Sequence, residues 1–138
     1  MTAGTDTDTE PAAHLVAAAG KERAIQLRLE DLLGPAEGWS ASLVEALITS
    51  FLCRTAEYLE SLGLAIGRHD VAAVTRDSHS LKGMASNLGA TDLAALSEAL
   101  ESCARIDELS PAAGLLLRLR TELEGVRPAM QAVLALAR

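Results

Sequence analysis

Between Ser42 and Gly67 a stripe of apolar residues runs through 44, 47, 48, 51, 58, 59, 62 and 66, with Thr55 in register. That is the three-and-four spacing of one helix face, and a chain carrying such a long stripe has to bury it against other helices. Elsewhere nothing alternates with a period of two, and β-branched residues do not gather between turn residues, so no strand is predicted. Composition agrees: 49% of the 138 residues are apolar, yet there is one Phe, one Tyr and one Trp, so the core is aliphatic and favours helix. A chain of this length is one domain and buries roughly two-thirds of its unfolded surface, enough for a core without metal or disulfide staples.

The remaining segments punctuate themselves. Residues 1–10 are polar and acidic and read as a loose, flexible tail. Residues 11–35 form an N-terminal helical cap, one or two short helices interrupted at Gly20 and stopped by Gly34-Pro35. The long helix opens with Ser42 and Glu45, a possible capping box, and closes at Gly67. Asp70 caps a third helix running to about Leu88, with Gly89 as its terminator. Thr91 or Asp92 starts a fourth, with Leu93, Leu96, Leu100 and Cys103 on its stripe. Ser110-Pro111 opens a fifth through Leu115, Leu119, Leu123, Val126, Met130, Val133 and Leu134, which Gly125 and Pro128 should bend or interrupt. The expected architecture is all-α: an antiparallel up-and-down four-helix bundle over residues 36–138 with an extra N-terminal helical segment.

Charge and cysteine usage remove several functions. Nineteen acidic against twelve basic residues leave a net charge of −7, which argues against a nucleic-acid partner. Cys53 and Cys103 lie within helical patterns and read as free buried thiols of a reducing cytoplasm. The N-terminus lacks the charge and apolar stretch of a signal peptide, and no apolar run is long enough to span a membrane, so the expected location is the cytoplasm. His14 and His69 read as ordinary, and no spacing of His, Asp and Glu makes a metal site.

One helix has an unusual polar face. At about 100° per residue, Val71, Val74, Ser78, Leu81, Ala85 and Leu88 form the inner stripe of residues 70–88. The opposite arc carries Ala72, Thr75, Arg76, His79, Lys82, Gly83 and Ser86. A chain with only two lysines places one of them three residues after this outward histidine. Gly83 stands in mid-helix, where glycine costs roughly 1 kcal/mol relative to alanine. These features fit a nucleophilic imidazole at His79, with open space at Gly83 for an incoming partner and Lys82 to steady negative charge; the rival for Gly83 is a helix-packing contact. The helix itself offers no obvious carboxylate one turn from His79, and no nucleotide loop or catalytic triad stands elsewhere. Such a site is suited to receiving a phosphoryl group and not to activating a donor, so no ATP-dependent kinase activity of its own is expected.

The run His79-Ser80-Leu81-Lys82-Gly83, followed by Asn87-Leu88-Gly89-Ala90 and later Leu100-Glu101, resembles the histidine-containing phosphotransfer (HPt) domains of bacterial phosphorelays. The resemblance covers about residues 40–135 and agrees with the predicted helix order. It implies that His79 is the phosphorylated histidine, Lys82 the phosphate-stabilising lysine and Gly83 the small residue giving access. Met84 departs from the family, which often has a small residue there, and this bears on partner choice. The implied partners are the receiver domains of a hybrid sensor kinase and of a response regulator, which bring their own Mg²⁺, so no cofactor belongs to this chain. Arg76 reaches a phosphoryl group only if its side chain bends back; otherwise it is a solvated surface arginine. Ser86 and Asn87 either line the docking surface or mark the helix end.

Two other functions compete. A phosphotransfer module of a chemotaxis-type kinase is expected to continue into further domains and usually differs from NLGA after the lysine-glycine pair. A non-catalytic helical adaptor would keep the bundle, but the intact HSLKG face speaks against it. A module that presents one face to successive partners is expected to be a monomer.

Overall fold

The computed structural model describes residues 2–138, with side chains from Val16 onward. Its helices are α1 (Thr2–Leu33), α2 (Ala41–Gly67), α3 (Val71–Asn87), α4 (Thr91–Arg105) and α5 (Ala112–Ala135), with one 3₁₀ turn at Ala36–Gly38. No strand occurs among the described residues. Residues 2–10, expected as a loose tail, fall within α1, and His14 is among the residues whose side chains lie outside the described set.

Helices α2 to α5 form the antiparallel up-and-down bundle: α2 packs on α3, α3 on α4, α4 on α5, and α5 closes the ring on α2. Its interior is aliphatic, as the composition requires, with Val44, Ile48, Leu62, Val74, Leu81, Leu93, Leu100, Leu119 and Met130 almost fully buried. Burying each such side chain contributes about 1.5–3 kcal/mol.

Helix α1 lies against α5, where Ile25 and Leu29 enter the core. It runs through Gly20 as one helix, because an isolated glycine costs less than this packing returns. Lys21 bridges Asp92 of α4 (3.0 Å) and Glu122 of α5 (2.8 Å). Arg28 donates through Nε to the carbonyl of Asn87 at 3.0 Å. Gly89 permits this seat twice over. Its φ of +78° lies in the left-handed region, and a Cβ there would stand 2.6 Å from the Ala24 carbonyl oxygen.

The termini show where local signals compete. Ser40, not Ser42, caps α2, its Oγ accepting from the Leu43 amide at 3.3 Å. Buried Trp39 and Val44 flank that cap at the positions of a hydrophobic staple, so the core selects the earlier serine. Glu45 faces Arg138 at 3.6 Å instead of completing a capping box. Asp70 caps α3 as expected, accepting from the Ala73 amide at 3.1 Å. Helix α5 continues past Gly125 and Pro128 without interruption. Its N-cap position is Pro111, while Ser110 bonds to Glu108.

At the same end of the bundle, the α2–α3 and α4–α5 turns are tied by His69 Nε2 and Asp107 Oδ1 at 3.0 Å, both residues having positive φ. Both cysteines are free, but Cys53 is exposed and Cys103 half-buried, so neither is the sealed core thiol expected. No described helix is long and apolar enough to cross a membrane.

Candidate functional site

Helix α3 is held to the core by Val74, Ser78, Leu81 and Ala85. Ser78 Oγ donates to the Val74 carbonyl at 2.6 Å, so its buried hydroxyl is satisfied within the helix. This anchoring turns His79 outward with 63% of its side chain exposed. Lys82 and Gly83 stand one turn further along the same face.

The imidazole is not free. Its Nδ1 lies 2.9 Å from Oε2 of Glu101, on the facing helix α4. Lys82 Nζ lies 3.1 Å from the other carboxylate oxygen. Arg105, one turn beyond Glu101, donates to Oε2 through Nη2 at 2.6 Å and through Nε at 3.2 Å. The carboxylate is 6% exposed, while the three groups around it open to solvent. Arg105 above all, then Lys82 and His79, hold the Glu101 carboxyl at a pKa of about 2, against the upward pull of burial.

An ionised carboxylate only accepts hydrogen bonds, so Nδ1 is the donor, and the tautomer this bond selects has its lone pair on Nε2. Nε2 has no hydrogen-bond partner among the described residues, and the side chain is largely exposed. A Cβ placed on Gly83 would meet nothing within 4 Å, so packing does not require glycine there. An oriented imidazole nitrogen beside open space and an ammonium is the chemistry of this surface.

The remaining expected residues lie further from the ring's partners. Arg76 donates from Nε to Asp77 Oδ1 at 3.3 Å and is otherwise solvated. Ser86 is exposed on the reactive face. Asn87 is exposed too, but its backbone carbonyl and Oδ1 receive Arg28 of α1. Met84 is half-buried and lines a groove of about 240 Å³ between α2 and α3 with Leu47, Phe51 and Leu88. A concavity of about 610 Å³ between α4 and α5 touches none of the site residues. Among the described residues no group of three or more His, Cys, Asp or Glu is placed to hold a metal ion.

Two site residues were given no role in the reading of the sequence, although Glu101 stood in the Leu100-Glu101 pair that it quoted. Glu101 and Arg105 sit on α4, whose buried edge is Leu93, Ser97, Leu100, Glu101 and Ala104, rotated from the expected stripe through Leu96 and Cys103. The signal was a carboxylate four residues after Ser97 and four before Arg105, between the apolar positions 100 and 104. Asp77 was likewise missed on α3. It is buried at the α2 interface and accepts from Ser61 Oγ at 2.6 Å.

A helical bundle that presents a carboxylate-held histidine on one rigid rod defines a class, and comparison with known families bears on it directly. Residues 46–129 match the Hpt domain family, and the chain belongs to it. Members of this family carry phosphoryl groups on histidine within phosphorelays and meet receiver domains there. A solved structure similar to the chain is histidine-containing phosphotransfer protein B (HptB) from Pseudomonas aeruginosa PAO1. It is 28% identical with a TM-score of 0.71, covering 83% of this chain and 93% of that one. No curated protein sequence matches the chain.

Proposed function

We propose that this protein is a phosphorelay carrier whose reactive atom is Nε2 of His79. Nε2 attacks the phosphorus of an aspartyl phosphate on the receiver domain of a hybrid sensor kinase. The group then passes from His79 to the receiver aspartate of a response regulator. Lys82 leans from Glu101 toward the phosphoryl oxygens and offsets their charge. Gly83 leaves the receiver's active-site loops room to reach the ring. Mg²⁺ arrives with the receiver, whose acidic pocket orients the group being transferred. The chain works in the cytoplasm as a monomer, with one face serving donor and acceptor in turn.

The observation that carries this reading is the Nδ1–Glu101 bond, which leaves Nε2 as an outward lone pair. The test is incubation with ³²P-phosphorylated receiver domains and Mg²⁺. Wild type should gain acid-labile, alkali-stable label and His79→Gln none, while both show the same helical circular dichroism. Absence of label in the wild type with every receiver tried would leave a helical adaptor. Label in His79→Gln would place the reactive group elsewhere.

A further inference from the structure

Glu101 does more than orient the ring at rest. If His79 is the carrier, as proposed above, the carboxylate touches the only nitrogen whose proton is at stake once the other is occupied. Attack by Nε2 forms a P–N bond from the ring lone pair and breaks the P–O bond, whose electron pair stays on the receiver carboxylate. The ring then bears a phosphoryl group on Nε2, a proton on Nδ1 and one positive charge. In water such a ring sheds the Nδ1 proton to solvent and becomes a neutral N-phosphoryl imidazole. That form is a poor donor, because its ring would depart as an anion unless a proton first returned.

We infer that Glu101 retains the Nδ1 proton of His79 throughout the transfer cycle, so that the phosphoryl group is always carried on an imidazolium and leaves without awaiting a proton. The 2.9 Å contact places a full negative charge against Nδ1, and that charge stabilises the cationic ring more than the neutral one. Arg105 makes the arrangement durable. Its two contacts keep Glu101 ionised and let Lys82 leave Oε1 for the phosphoryl group without stranding a buried carboxylate.

The charged groups around the ring are few. Helix α4 contributes Glu101 and Arg105, and α3 contributes Lys82 and Arg76. The Asp77 carboxylate is turned to Ser61 of α2 and paired with Arg76. Glu101 is thus the anion that touches Nδ1. In the reverse step the P–N electron pair returns to Nε2 and Nδ1 keeps its proton, so neither direction moves a proton. Glu101 is a positioning residue that acts through the ring; it does not contact the phosphorus.

The test compares wild type with Glu101→Gln, which keeps an acceptor oxygen but not the charge. Both proteins are loaded with potassium phosphoramidate, and transfer is timed to a receiver domain that wild type labels. At pH 6 the two rates should agree within about twofold; at pH 8 the variant should be about tenfold slower. Nitrogen-15 NMR of the loaded proteins should show Nδ1 protonated at pH 8 in wild type and not in the variant. Rates that fall in parallel at both pH values would overturn the inference. So would loss of the wild-type Nδ1 proton at the pH where a phosphohistidine peptide loses it, a comparison that stands even if the variant fails to fold. A wild type that takes no phosphoryl group, or a labelled His79→Gln, sinks the carrier reading itself and is recognisable as such.

Discussion

Lys82 and Arg105 hold opposite oxygens of one carboxylate: Lys82 Nζ lies 3.1 Å from Oε1 of Glu101, and Arg105 Nη2 lies 2.6 Å from Oε2. The two cations therefore have separable duties. Arg105, four residues after Glu101 on α4, forms the favourable helical order of acid before base and sits in the last turn. Lys82 is single-bonded to Glu101 and has the freer ammonium. Arg105→Gln should cost about 1–2 kcal/mol of stability, because a nearly buried carboxylate loses its main partner. Lys82→Gln should leave the urea midpoint close to wild type and shorten the lifetime of the phosphorylated form. Equal effects of both variants on both measurements would show that the duties are not divided.

Acid separates Glu101 from the other carboxylates. Its folded pKa of about 2 lies below the ordinary value of 4.5. A depressed carboxyl contributes stability that is fully present above 4.5 and is lost as the pH falls through about 2. The gap in urea midpoint between wild type and Glu101→Gln should therefore be widest above pH 4.5 and close progressively toward pH 2. A gap independent of pH over that range would mean that the charge of Glu101 adds nothing to the fold.

Two glycines, one inside α3 and one just past its end, should respond with opposite signs. Gly83 is helical and exposed with open space at its Cβ position, so Gly83→Ala should raise stability by about 0.5–1 kcal/mol. Gly83→Leu should also fold, yet slow phosphoryl transfer by filling the approach to His79. Gly89 has φ +78° and a Cβ position 2.6 Å from the Ala24 carbonyl oxygen and 3.0 Å from Arg28 Cβ. Gly89→Ala should cost about 2 kcal/mol or more, because left-handed strain and a backbone clash combine. Thermal unfolding of the three variants decides the signs, and transfer assays show whether Gly83 alone affects delivery.

These contrasts also explain how far the sequence could be read. His79, Lys82 and Gly83 lie within five residues on one helix, so their shared face follows from the helical repeat. Asp70 and Gly89 mark the ends of α3 by side-chain and φ chemistry that is local. Glu101 belongs to a different class of fact. It meets His79 across an interface 22 residues apart in the chain, and no periodicity within α4 states its rotation against α3. The expected stripe through Leu96 and Cys103 maximised apolar burial, whereas the folded helix turns Ser97 and Glu101 inward, where Ser97 Oγ bonds the Leu93 carbonyl and Glu101 meets three donors. Ser40 displaced Ser42 for a related reason: the position of Trp39 in the core is a tertiary fact. Gly20 and Pro128 lie inside continuous helices because packing outweighs propensity over one residue.

Helix α1 should unfold with the bundle and not before it. Ile25 and Leu29 are each 1% exposed and belong to the same core as α2 to α5. Lys21 ties α1 to both α4 and α5, and Arg28 ties it to the end of α3. Trp39, the single tryptophan of the chain, lies in the connection from α1 to α2, and its indole donates to the Gly34 carbonyl at 2.8 Å. Its emission therefore reports the junction of α1 with α2, while far-ultraviolet circular dichroism reports all the helices. In urea the two signals should trace one transition. Ile25→Ala should shift both to lower urea together, by the equivalent of about 2–4 kcal/mol, since it leaves a cavity in a shared core. A fluorescence change that precedes the loss of helix, or an Ile25→Ala effect confined to the fluorescence, would make α1 an appendage that folds on its own account.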